Sequence, residues 1–286
     1  MGIGTSFPEL ITSLTAALKG VTDVVAANAI GSNIANILLI VGISALLGKK
    51  LIVTKSLIDL DLPLLAISTV LLLGVVWDKQ ITLGESILML VTYGIYLLYT
   101  VMHKDTDDSE EIGEVLPSRQ ERRKHLIKEN KKKFKRPKLK LMDFVLLAVG
   151  IAGLIIGSKY MIDSLVNISS ILNIATGVIA ITAVAVGTSL PELLVSARAA
   201  LKKKSEVALG NIFGSNVFNG LVVIGFPGLF TRLQLDSQTF SIGVPVMALA
   251  TILFIISGIS RRIHVWEGAF FLLIYVLFIA KLFNWF

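Results

Sequence analysis

The chain has 286 residues and no cysteine, which excludes disulfides, thiolate metal sites and cysteine nucleophiles. Hydrophobic residues make up 54% of it and charged ones 16%, well under the ~25% of a soluble domain, and mean hydropathy is +0.79. The net charge of +7 therefore points to loops biased to one side of a membrane rather than to nucleic acid.

In chain order, nine apolar segments are predicted, near 1–18, 23–47, 59–77, 82–102, 142–162, 174–201, 206–231, 239–260 and 265–285. Residues 24–48, 164–191, 207–231 and 237–260 carry no charge, and a helix needs ~20 apolar residues to span a bilayer. Continuous apolarity with glycine and small residues predicts helices rather than alternating barrel strands. Trp77, Trp266 and Trp285 fall at segment ends, where aromatic rings prefer the interface. The expected class is an all-α polytopic membrane protein.

Segment 1 carries Gly4-Thr5-Ser6-Phe7-Pro8-Glu9-Leu10, and segment 6 carries Gly187-Thr188-Ser189-Leu190-Pro191-Glu192-Leu193, 183 residues later. Segments 2 and 7 repeat Asn28, Gly31, Ser32, Asn33 and Asn36 as Asn211, Gly214, Ser215, Asn216 and Asn219 at the same offset. Aligned without a gap, 4–42 and 187–225 agree at 19 of 39 positions. The two motif segments lie five crossings apart, so they cross in opposite senses. That is the inverted-topology repeat of many secondary transporters, whose site lies where the repeats meet near the midplane. The expected organisation is an N-terminal half at 1–102, a charged loop at 103–141 and a C-terminal half at 142–286. The first half shows four segments against five in the second, so one helix at its start is expected to be missing.

Basic residues set the expected orientation. The loops after segments 2, 4, 6 and 8 hold Lys49, Lys50 and Lys55, then 13 Lys and Arg within 103–141, then Lys202, Lys203 and Lys204, then Arg261 and Arg262. The alternate loops hold only Lys19, Lys79 and Arg232. The positive-inside rule puts the richer set, with loop 103–141, in the cytoplasm and the C-terminus outside a cell membrane. The charged loop reads as a solvated linker that fixes orientation; contact of its basic end with anionic lipid is the sharper alternative.

The motif carries the chemistry. Glu192 follows 28 uncharged residues, and a charge at a helix centre costs ~2.5–3.5 kcal/mol, so such a residue faces a cavity and works there. Pro8 and Pro191 remove a backbone bond and loosen the carbonyls of Gly4 and Gly187. Thr5 and Ser6 lie four and three residues before Glu9, on one helix face, as Thr188 and Ser189 do before Glu192. Asn28, Ser32 and Asn36 form a stripe at every fourth residue, repeated by Asn211, Ser215 and Asn219. Asn28, Asn33 and their repeats can be read as interhelical glue; Ser32, Asn36, Ser215 and Asn219 are the stronger site candidates. The candidate ligands are all oxygen, which suits Ca2+ and Na+ rather than Zn2+ or Cu2+. Nothing beside the two glutamates reads as a nucleophile or a cofactor site, so neither an enzyme nor a cofactor is expected.

Together, GTSFPEL with GSNIAN and GTSLPEL with GSNVFN resemble the α-repeats of the Ca2+:cation antiporter superfamily, in particular the prokaryotic Na+/Ca2+ exchangers. The resemblance implies ten helices in two inverted halves of five and exchange of Ca2+ for Na+ by alternating access. It implies that Glu9 and Glu192 bind Ca2+ with the backbone carbonyls of Thr5 and Thr188. The Na+ positions would add Ser6, Ser32, Ala185, Ser189 and Ser215, and Asn36 and Asn219 would line the middle. In several members one of those two central positions is aspartate; here both are asparagine. H+/Ca2+ exchange, or cation binding without transport, stands as the alternative. The expected partners are the two ions and the lipid bilayer, with no nucleic acid and no obligatory protein partner.

Overall fold

The computed structural model describes residues 2–54, 57–110 and 141–285. Residues 111–140 of the charged loop, together with Met1, Lys55, Ser56 and Phe286, lie outside the described residues. Among the described residues, nine helical stretches follow the nine apolar segments. They are α1 (Gly2–Thr5 and Phe7–Leu18), α2 (Asp23–Gly48), α3 (Leu57–Val75), α4 (Leu83–Glu110), α5 (Leu141–Leu172), α6 (Thr176–Thr188 and Leu190–Leu201), α7 (Ser205–Gly228), α8 (Thr239–Ile259) and α9 (Val265–Leu282). Seven of them are long and apolar enough to cross a bilayer, eight if the two parts of α6 make one span; α1 is shorter.

The fifth helix runs ten residues beyond its expected end at 162. Lys159 and Asp163 look like the end of an apolar run in the sequence. Both are exposed, and only Ser158, Ile162 and Leu165 of α5 are buried, so the charges lie on an open side and the helix continues.

Two compact units are present. The larger comprises residues 1–96 and 154–286, and the smaller spans 97–153. In the larger unit α2 and α7 are central. About four-fifths of the apolar window of each is buried, 78% and 83%, against a third or so for α3, α8 and α9. Small residues permit this centrality. A Cβ on Gly31 would lie 2.3 Å from the carbonyl oxygen of Ile181, and one on Gly2 would lie 2.6 Å from the backbone nitrogen of Ser215. Thus α2 crosses α6, and α7 crosses the start of α1, at backbone contact. Glycine is needed there because any side chain would separate the helices.

Both repeats bend alike. Helix α6 bends by 46° between Thr188 and Leu190. Ser6 and Ser189 stand at the breaks with φ/ψ of −89°/11° and −83°/7°, each just before a proline-led helix. One-turn π-helical widenings recur in register: Ala35–Val41 with Asn219–Val223, and Leu57–Asp61 with Thr239–Gly243. Such turns expose backbone carbonyls that a regular helix would bond, and they concentrate at functional sites.

Among the described residues four short strands accompany the helices: β1 (Lys50–Ile52), β2 (Gln80–Ile81), β3 (Leu233–Gln234) and β4 (Arg262–His264). The strands β1 and β4 pair antiparallel, with Leu51 opposite Ile263, and β2 pairs with β3, with Ile81 opposite Leu233. The 183-residue offset maps β1 onto β3 and β2 onto β4, so each ribbon takes one strand from each repeat. Periodicity could not reveal them, because two or three residues are too few to alternate detectably. They join the ends of α2 and α8 at one face of the bundle and the ends of α3 and α7 at the other, as an inverted repeat requires.

Candidate functional site

Glu9 and Glu192 are both fully buried, each in the first turn after its helix break. Each carboxylate is held by the serine of the other repeat. The Ser189 hydroxyl donates to Glu9 Oε1 at 3.0 Å, and the Ser6 hydroxyl donates to Glu192 Oε1 at 2.8 Å. The exchange obeys the repeat, since 6 maps to 189 and 9 to 192. It brings two stretches 183 residues apart into one site. Among the described residues no lysine, arginine or histidine pairs with either glutamate. Buried carboxylates without a cationic partner are expensive unless a bound cation or protons neutralise them.

Around this pair the other candidates take definite places. The Ser215 hydroxyl donates to Glu192 Oε1 at 3.3 Å and lies 3.4 Å from Thr5 Oγ1. Thr5 Oγ1 also lies 3.1 Å from the Gly2 carbonyl, and Thr188 Oγ1 lies 3.3 Å from the Ala185 carbonyl, an equivalent pair. The Asn36 amide donates to Asn216 Oδ1 at 3.1 Å. Ser32 is buried with its hydroxyl unpartnered, and Asn219 is buried with both amide atoms unpartnered.

The buried oxygens without a hydrogen-bond partner concentrate in the motif residues. They include Glu9 Oε2, Glu192 Oε2, Ser32 Oγ, Asn36 Oδ1 and Asn219 Oδ1. Buried polar atoms in folded proteins nearly always find partners, so a set of five acceptors from four helices marks a place built for something else to complete. Cations do this naturally, since carboxylate, hydroxyl and amide oxygens are the ligands of hard cations.

Several residues that take part were not identified from the sequence. Gly2 is the equivalent of Ala185, and its carbonyl lies 3.4 Å from Ser215 Oγ. It lies before the stretch where the two repeats visibly agree, so no identity marked it. Ser13 and Ser196 receive hydrogens from the amides of Asn28 and Asn211. They were visible in principle, as identical residues at the repeat offset. Asn216, which the sequence reads as interhelical glue, accepts from Asn36 through its side chain and from Asn33 through its carbonyl at 3.2 Å, two bonds from α2 to α7.

The sodium/calcium exchanger protein family matches residues 1–102 and 142–284. The CaxA protein of Alkalimonas amylolytica is 32% identical, over 96% of this chain and 83% of its own length. The sodium/calcium exchanger MaX1 of Methanosarcina acetivorans is 30% identical, over 99% of this chain and 87% of its own. Among solved structures, the sodium-calcium exchanger NCX_Mj soaked with Na+ and Sr2+ superposes with a TM-score of 0.69 at 28% identity, covering 98% of this chain and 84% of that one. Doubled glutamate motifs, inverted halves and these likenesses agree: the chain belongs to the sodium/calcium exchanger family, membrane-embedded cation/Ca2+ antiporters rather than enzymes.

Proposed function

We propose that this protein exchanges Ca2+ for Na+ across a cell membrane by alternating access. Glu9 and Glu192 hold Ca2+ together with the carbonyls of Thr5 and Thr188. Ser6, Ser32, Ala185, Ser189 and Ser215 complete the Na+ positions, and Asn36 and Asn219 line the middle. One observation carries the reading: two buried glutamates, each held by a serine of the opposite repeat, present an unpartnered oxygen apiece among other unpartnered oxygens. Two carboxylates balance one Ca2+, or they balance Na+ at neighbouring positions. A site costly to leave without either load favours exchange over leak. The relatives' names support Na+ as the counter-ion.

The test is Ca2+ flux driven by a Na+ gradient in proteoliposomes. The unsubstituted protein takes up Ca2+ against its gradient, and Glu9→Gln and Glu192→Gln each abolish uptake. Undiminished flux in both variants sinks the reading. A second reading is favoured by the lack of a basic partner for the two glutamates among the described residues: two protons could neutralise them as one Ca2+ does. Flux that follows a pH gradient and ignores Na+ establishes proton coupling instead.

Orientation and organisation belong to the same proposal. The loops rich in lysine and arginine, 103–141 included, face the cytoplasm and the C-terminus faces outward. Residues 1–102 and 142–286 act as two half-carriers joined by a linker.

A further inference from the structure

Along the polar stripes of α2 and α7, Ser215 donates to Glu192, whereas Ser32, Asn36 and Asn219 keep oxygens unpartnered among the described residues. Asn28 and Asn211 do not, because both ends of each amide are engaged. Asn28 Oδ1 accepts from the Thr188 hydroxyl at 3.5 Å, and its Nδ2 donates to Ser13 Oγ at 3.1 Å and to the Glu9 carbonyl at 3.4 Å. Asn211 Oδ1 accepts from the Thr5 hydroxyl at 3.3 Å, and its Nδ2 donates to Ser196 Oγ at 3.5 Å. Ser196 passes its own hydrogen to the Ala208 carbonyl at 3.3 Å.

Each asparagine therefore bridges the repeats. One end meets the motif threonine of the opposite repeat, four residues before that repeat's glutamate. The other meets a serine four residues after the glutamate of its own repeat. A planar amide has a fixed length, so each is a strut between the two helices that carry the carboxylates. The amide chemistry is also specific. The Glu9 carbonyl only accepts, so the nitrogen must face it, which turns the oxygen toward Thr188.

We propose that Asn28 and Asn211 are positioning residues that set the gap between the two carboxylate half-sites, and so the size of divalent cation the site accepts. This rests on the exchange reading above. Neither asparagine needs to touch the ion, because partners of a ligand that hold it in place typically matter 10–100-fold in metal affinity. The Asn28 strut is the better anchored on its own repeat, with a serine contact of 3.1 against 3.5 Å and an additional bond to the Glu9 carbonyl, while its contact across the repeats is the longer, 3.5 against 3.3 Å.

The experiment is tracer Ca2+/Ca2+ exchange in proteoliposomes without Na+ or a pH gradient, with Sr2+ and Ba2+ as competitors. Calorimetric binding of the three ions to the purified protein runs beside it. Asn28→Leu raises the Ca2+ KM and Kd about tenfold or more, by analogy with such partners. Maximal exchange changes less, and affinity for the larger Ba2+ falls less than for Ca2+, because a slackened gap tolerates a wider ion. Asn28→Gln, which keeps the amide, recovers part of the Ca2+ preference, and Asn211→Leu gives a smaller shift. Ser13→Ala removes one end of the strut without enlarging a side chain. It shifts the preference the same way, and so decides the matter should Asn28→Leu fail to fold. Equal loss of affinity for all three ions, or a fall only in the amount of folded protein, overturns the proposal. Absence of Ca2+ binding by the unsubstituted protein overturns the exchange reading, and this one with it.

Discussion

At the residue scale, what separates the site from ordinary interior is which polar atoms are already satisfied. Ser189 and Ser6 each donate to a buried carboxylate, and a hydrogen bond to a charged group contributes about 1.5–3 kcal/mol. Ser189→Ala is therefore expected to weaken Ca2+ binding by about tenfold or more, measured by calorimetry, with a similar loss for Ser6→Ala. Asn219 presents the opposite case, since both of its amide atoms are buried and unpartnered. Replacing such a group by an apolar one of similar shape removes a desolvation cost of about 1–3 kcal/mol. Asn219→Leu should raise the thermal midpoint in detergent and abolish exchange in proteoliposomes, a trade of function for stability. Asn28→Leu, which strands Ser13 and takes one of two partners from Thr188, should lower that midpoint. The same amide type at two places on equivalent stripes is thus expected to shift stability in opposite directions.

At the element scale, the glycines of the motifs divide by what surrounds them. Gly4 and Gly187 stand in the repeated signature, yet a Cβ on either meets nothing within 4 Å. Gly31 lies where α2 crosses α6, and a Cβ there would approach the Ile181 carbonyl to 2.3 Å. Gly31→Ala must push the two helices apart, and overpacking of this kind costs about 1–3 kcal/mol. A clear drop in thermal midpoint is expected for Gly31→Ala, and little or none for Gly187→Ala; equal drops would show that the crossing is not tight. Helix α5 shows how lightly an element can be attached. In the larger unit its polar contacts include Thr12 with Ser158 at 3.3 Å, and Lys19 with Asp163 and with the Lys159 carbonyl. The ion pair is substantially exposed and so contributes little on its own. Lys19→Ala should change stability by no more than about 0.5 kcal/mol, read as a nearly unchanged thermal midpoint.

At the scale of the whole molecule, the inverted repeat makes a prediction about sidedness that the absence of cysteine makes easy to check. Lys50 in β1 and Lys79 just before β2 are both exposed and belong to opposite ribbons. Introduced singly, Lys50→Cys should react with a membrane-impermeant thiol reagent from the cytoplasmic side, and Lys79→Cys from the outer side. Labelling of both from one side would contradict the inverted arrangement itself; labelling from reversed sides would contradict only the orientation.

The amino-acid sequence by itself determined the transmembrane character, the helical segments and the repeat, and it singled out the two glutamates as candidates. These are properties of composition and order: long uncharged runs, a constant offset, and a charge too costly to bury without a task. It could not say that Ser6 serves Glu192 while Ser189 serves Glu9. That pairing is long-range, and no spacing along one helix encodes it. The sequence set Asn28 apart from Asn219 as glue against site candidate, but could not say that Asn28 meets Thr188 and Ser13 while Asn219 is left unpartnered, because the two occupy the same kind of stripe and differ in what faces them across the bundle. The ribbons β1–β4 and β2–β3 were equally invisible, being defined by a partner strand from the other repeat rather than by their own two or three residues. Tertiary structure decided these points because a hydrogen bond is satisfied or left open by its neighbours in space. In this protein the neighbours that matter lie in the opposite repeat.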